Sequence, residues 1–153
     1  MKAWHWIIKD DKSKIEDLVE YFDGELEEAR REVKKVGVIE KISAELPAFH
    51  ETRFAQLQAM ETVLEFLEAE MKQLEAERYK HYLEHYKRQL SSTDCKKYVD
   101  GDKDVVELSL VIAEVALIRN QLAGIVKSLE MKGFQLGHIV KLRTSGIEDA
   151  RLD

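Results

Sequence analysis

Apolar residues recur at alternating intervals of four and three along three stretches of this chain, and only one proline interrupts them. The first run is Ile15, Val19, Phe22, Leu26, Ala29, Val33 and Val36. The second is Leu57, Met60, Leu64, Leu67, Met71 and Leu74. The third is Val105, Leu108, Ile112, Val115, Arg119, Leu122, Val126 and Leu129, with one arginine inside an otherwise apolar series. Such spacing keeps side chains on one stripe of a helix, and sustained over several turns it makes a coiled-coil seam. Sheet architectures are disfavoured, because they need turn residues every 8 to 12 positions or so and this chain has few.

The spacing predicts an all-α protein. A capping-box pattern, Ser13 with Glu16 three positions on, places the start of the first long helix. Gly24 and Gly37 weaken that helix locally, and Pro47 is expected to form the corner that ends it near Leu46. A second helix then runs from Pro47 to about Leu90, on the order of 65 Å long. Residues 91–104, SSTDCKKYVDGDKD, read as the longest loop. The third helix spans roughly Lys103 to Lys132, where Leu110, Val111, Leu117, Ile118 and Ile125 widen the apolar face nearly all round, so it should be central. Gly133 reads as a helix stop, with a shorter helix or a continuation over Phe134 to Arg143 and then a tail. The expected organisation is one helical domain: an arm over 1–12, a long helical hairpin over 13–90, a loop over 91–104, and a central apolar helix, short helix and tail over 105–153. The seams exceed what one short chain can bury, which predicts a coiled-coil-like homo-oligomer meeting along Val105 to Leu129. Arg119 fits there as a polar residue fixing register, or as a side chain that reaches past its neighbours to water.

Charged residues make up 35% of the 153 positions, against about 25% in an average soluble domain. Cys95 stands alone, which excludes an internal disulfide and a cysteine-rich zinc site. The amino end, MKAWHWIIKDDKSK, is too short in apolar residues for a signal-peptide core, and no stretch is expected to span a membrane. The net charge of −6 argues against a nucleic-acid partner, but its distribution argues the other way. Nine acids lie between Asp10 and Glu28, whereas six bases (Arg78, Lys80, Lys87, Arg88, Lys96, Lys97) stand against Glu84 and Asp94 further on. A chain polarised like this can be acidic overall and still present a basic face.

Residues 78–88, RYKHYLEHYKR, carry the sharpest chemistry. His81-Tyr82-Leu83-Glu84-His85 fits the H-x-x-E-H pattern of inverted zinc proteases, with two imidazoles four apart on one helix face. A catalytic zinc also needs a third ligand and a cleft, so we expect no metal and no cofactor here. The same stretch alternates Tyr79, Tyr82 and Tyr86 with Arg78, Lys80, Lys87 and Arg88. Cations take phosphates and release counterions, while flat rings stack unpaired bases. Taken alone, these residues fit either a strand grip or packed tyrosines beside solvated charges. Asp100, Asp102 and Asp104 resemble a calcium loop but lack its closing glutamate, so a helix cap is the better reading. Trp4, His5 and Trp6 suit a docking peptide, a self-packing arm or a disordered end.

The run YVDGDKDVVELSLVIAEVALIRNQLAGIVKSLEMKGFQLGHIVKLRTSG resembles the carboxyl part of the UvsY-like recombination mediators of tailed phages. The resemblance reaches back through YKHYLEHY and covers about Glu77 to Arg143; the amino-terminal part looks longer than in that family. It implies a non-catalytic protein that binds single-stranded DNA, loosens the phage single-strand-binding protein, helps load the recombinase, and assembles as a ring of six or seven subunits. It also implies work in the cytoplasm of an infected bacterial host. Lys80 stands at the family's lysine, while Tyr82 stands where the family has arginine, so Arg78, Lys87 and Arg88 are expected to supply charge instead. With the resemblance, the expected strand-binding set is Arg78, Tyr79, Lys80, His81, Tyr82, His85, Lys87, Arg88, Lys96 and Lys97. The rival expectation is a structural coiled-coil adaptor with protein partners only.

Overall fold

A computed structural model describes residues 2–86 and 88–153. The fold is all-α, with no strand among the described residues. Its elements are α1 (Trp4–Asp10), a 3-10 turn (Lys12–Lys14), α2 (Ile15–Lys34), α3 (Ile39–His85), α4 (Ser92–Asp100) and α5 (Lys103–Thr144).

The dominant pairing is α3 with α5, and α2 lies mainly on α5. Leu46 meets Gly133, His50 meets Glu130 and Arg78 meets Asp104, so α3 and α5 run antiparallel. Arg53 meets Glu32 and Lys12 meets Glu70, so α2 also runs against α3. α2 and α3 thus run antiparallel across a short corner, and α5 joins them in one shared core. The seam residues Phe22, Leu26, Met60, Leu67, Val115, Leu122 and Leu129 form that core, together with Leu18, Val63 and Ile118. α3 has 47 residues and α2 only 20, so α3 and α5 continue as a two-helix pair beyond α2. At one end of that pair Ile39, Ile42, Leu136, Ile139 and Leu152 make a second small core.

Several boundaries differ from expectation. The corner lies at residues 35–38, not at Pro47, which sits inside α3. Gly37 has φ +134°, a conformation that side-chain-bearing residues rarely adopt, so the reversal occurs where it is cheapest. Proline inside a helix costs about 3 kcal/mol. Here Ile39, Ile42 and Leu46 before it, and Phe49 after it, pack on the cores, which offsets that cost. Replacing Gly37 with alanine is expected to cost roughly 1–3 kcal/mol in urea denaturation, because the backbone there must stay at positive φ.

Residues 92–100, expected as loop, form α4, because the Ser91 side chain accepts from the Asp94 N–H and caps it. The first long helix is led in by Asp11, whose side chain accepts from Ser13 N, in place of the expected Ser13 cap. α5 passes straight through Gly133, where Leu46 packs close, and the separate short helix does not exist. The real stop is Gly146, at φ +97°. Gly146 N donates to Arg143 O and Ile147 N to Leu142 O, the paired bonds of a Schellman motif. α1 is a self-packing arm, with Trp4 against Tyr21 and Phe22. α5 is also long and apolar enough to cross a membrane, by length and composition alone. Its apolarity has a local explanation, since one face is spent on α2 and α3 and a second apolar face points outward.

Candidate nucleic-acid interface

The stretch RYKHYLEHYKR ends α3 and meets α4 and the start of α5 at one tip of the molecule. Cys95 and Val99, both buried, seat α4 there, and the Cys95 thiol donates to Tyr79 O at 3.3 Å. The ring of Tyr98 on α4 then stacks on Tyr82, with centroids 5.6 Å apart and planes at 29°. Tyr86 lies 5.1 Å from Tyr98, and their hydroxyls hydrogen-bond at 2.9 Å. That bond raises the Tyr98 pKa.

Two expected strand-binding residues have a structural job as well. Tyr82 donates its hydroxyl to Asp102 Oδ2 at 2.9 Å, and Arg78 pairs with Asp104 and lies 3.6 Å from Asp102. Asp102 also caps α5, accepting from Asp104 N at 3.0 Å and Val105 N at 3.3 Å, which fulfils the cap reading of the aspartates. Burial of the Asp102 carboxylate disfavours its charge, but Tyr82, the two backbone donors and Arg78 outweigh that and hold its pKa below the ordinary value. Tyr82 is raised by the same bond. Arg78 and Tyr82 therefore bolt α3 to α5, and a phosphate would have to compete with Asp102 and Asp104 for Arg78.

The other members face water. Tyr79, Lys80, His81, His85, Arg88, Lys96 and Lys97 are all exposed. His81 and His85 lie with ring centroids 5.1 Å apart, one turn from each other on the same face. Among the described residues no group of three or more potential metal ligands occurs, so the zinc-protease pattern has no third ligand to complete it. Lys87 lies outside the described residues. Sequence reasoning missed Tyr98, although Lys96-Lys97-Tyr98 repeats the basic–aromatic alternation of the α3 terminus.

The seam expected to join subunits is occupied within the chain. Val105, Leu108, Val115, Leu122, Val126 and Leu129 are buried against neighbouring helices, while Ile112 and Arg119 are half-buried. The opposite face of α5 carries a second, interrupted apolar ladder: Val106, Leu110 and Leu117, then Met131 and Phe134, with Asn120, Gly124 and Lys127 at the positions between them. Leu110 is 66% exposed, Met131 60% and Phe134 80%, so this ladder has no partner within the chain.

Fold and site together define a helical protein with a cationic, tyrosine-rich tip and an open apolar ladder. The sequence profile of the family described as "Recombination, repair and ssDNA binding protein UvsY" matches residues 35–146. The chain belongs to that family. The match begins in the corner before α3 and ends at the Gly146 helix stop, so α3, α4 and α5 lie within it and α1 and α2 outside it. Comparison with curated proteins and with solved structures gave no match.

Proposed function

We propose that the chain is a single-stranded-DNA-binding recombination mediator of a bacteriophage, working in the cytoplasm of the infected host. It displaces the single-strand-binding protein and helps load the phage recombinase. The family match over the three elements that build the tip carries this reading. Lys80, Arg88, Lys96 and Lys97 bind phosphates, while Tyr79, Tyr86 and Tyr98 offer ring faces to bases, with His81 and His85 between them. Each tip is a weak, salt-sensitive site. Copies assembled through the outward ladder of α5, as six or seven subunits, hold a strand by avidity.

The test is fluorescence anisotropy of labelled oligo(dT) across a salt series. Binding at low salt should weaken steeply as salt rises. The double substitution Lys80→Ala, Arg88→Ala should weaken binding about tenfold and flatten the salt slope, since two phosphate contacts disappear. No binding at low salt, or a double variant equal to the parent, overturns the reading. The open ladder on α5 also favours a second reading, an assembling adaptor with protein partners only. An intact oligomer with no affinity for DNA would select it.

A further inference from the structure

A recess of about 280 Å³ opens beside Tyr98, lined by Arg88, Leu90, Asp94, Lys97 and Tyr98. It is too small for a drug-sized ligand, whose pockets begin at about 300 Å³, and suits a single flat ring. Leu90 is buried and supplies an apolar wall. Arg88 and Lys97 are exposed cations at the rim. Asp94 is the unexpected member, because a carboxylate beside a phosphate site repels the ligand. Asp94, Arg88 and Tyr98 line the same recess, so anion, cation and ring come together there.

We propose that this recess takes one base of the bound strand and that Asp94 selects a base carrying an exocyclic amino group, such as cytosine, over thymine. The inference rests on the strand-binding reading above. The base packs against the Tyr98 side chain in the recess, and Arg88 and Lys97 take the flanking phosphates. The Asp94 carboxylate accepts from the amino group at position 4 of cytosine. Thymine has a carbonyl oxygen there, which the carboxylate repels, and only its neighbouring N3–H is left to donate. The strand grip thereby acquires a mild base preference at one position per subunit. Asp94 can be replaced without removing the cap of α4, because the bond to the Ser91 hydroxyl comes from its backbone N–H.

The experiment compares oligo(dT) with an oligonucleotide of 5-methyl-deoxycytidine of equal length, at neutral pH and fixed salt. The two bases share the methyl group and differ at the amino and N3 positions. The parent protein should bind the methylcytidine strand about tenfold tighter. Asp94→Ala should bring the ratio near one, with oligo(dT) held as tightly as before or tighter, since a negative charge has gone. Asp94→Asn should also level the ratio, because an amide can donate to the thymine oxygen as well as accept from the amine. Equal binding of the two strands by the parent, or a preference that survives Asp94→Ala, overturns the inference and leaves the strand-binding reading standing. Binding of neither strand overturns both.

Discussion

Replacing Arg53 with alanine is expected to destabilise the fold by about 3–5 kcal/mol, as removal of one partner from a buried ion pair does elsewhere. Arg53 is only 2% exposed. Its guanidinium grips Glu32 with two bonds, Nε at 2.8 Å and Nη2 at 2.6 Å, and reaches Glu25 at 2.6 Å and Gln56 at 3.0 Å. Gln56 donates in turn to Glu25 at 2.6 Å. Glu32 is nearly as buried as the arginine, with 12% of its side chain exposed, whereas Glu25 at 31% is partly screened. Most of the cost therefore comes from Glu32, left charged in a place with no other cation bonded to it. Urea denaturation measures the loss, and a change within 1 kcal/mol would mean that water reaches the site.

Acid titration gives the same network a sign. Hydrogen bonding from Gln56 lowers the Glu25 pKa, burial works against it, and Arg53 adds to the lowering. A carboxyl whose folded pKa lies below its unfolded value stabilises the fold above the unfolded value, near pH 4.3, and loses that contribution as pH falls through the folded one. The parent protein should therefore weaken as pH drops below about 5. In Arg53→Ala the part of the Glu25 lowering that comes from the cation is gone, while the Gln56 bond remains. The variant should therefore lose less stability than the parent as pH falls below about 5. The Arg53 bonds join α3, inside the family match, to α2, outside it. They are what registers the amino-terminal helices on the common framework.

How much of this was legible from the residues depended on the range of the interaction. The heptad spacing led to the helices and most of the core, because burial of a stripe is a local property of sequence. Pro47 misled, because its cost is offset by Ile42, Leu46 and Phe49, whose partners lie on distant parts of the chain. Gly133 misled for a related reason: the helix runs through it packed against Leu46 of α3, a contact invisible along the chain. The true stop, Gly146, was within the expected tail. At the tip, the family resemblance and the alternation of Tyr with Lys and Arg marked the right region. It could not separate Arg78 and Tyr82, which bolt α3 to the start of α5, from Lys80, Arg88, Lys96 and Lys97, which face water. That division is set by Asp102 and Asp104, which are far away in sequence. Buried Lys132 was equally hidden; it donates to Val33 O at 2.7 Å and to Lys35 O, completing the end of α2 from across the bundle.

The second large effect concerns α5, where two apolar faces lay superimposed in the sequence. With the Val105 to Leu129 seam largely buried inside the chain, the outward ladder is the apolar face of α5 that stays exposed, and the proposed assembly rests on it. Leu117→Asp with Phe134→Asp should therefore leave helix content and urea stability close to the parent's, because the two side chains are 57% and 80% exposed in the single chain. The native mass should fall to the 17.8 kDa of one chain, since each carboxylate would have to be desolvated inside a joint between subunits. Affinity for a long oligo(dT) should drop about 100-fold or more, the scale on which linked weak sites exceed single ones. Affinity for an oligonucleotide that spans one tip should stay nearly constant. That contrast separates avidity from damage to the tip, because a damaged tip would lose short and long strands alike. A parent protein that is already monomeric at working concentration would refute the assembly, and a monomeric variant that holds long strands as tightly as the parent would refute avidity. In either case one tip would have to hold the strand by itself, and the Lys80→Ala, Arg88→Ala substitution would then cost the same factor on short and long strands.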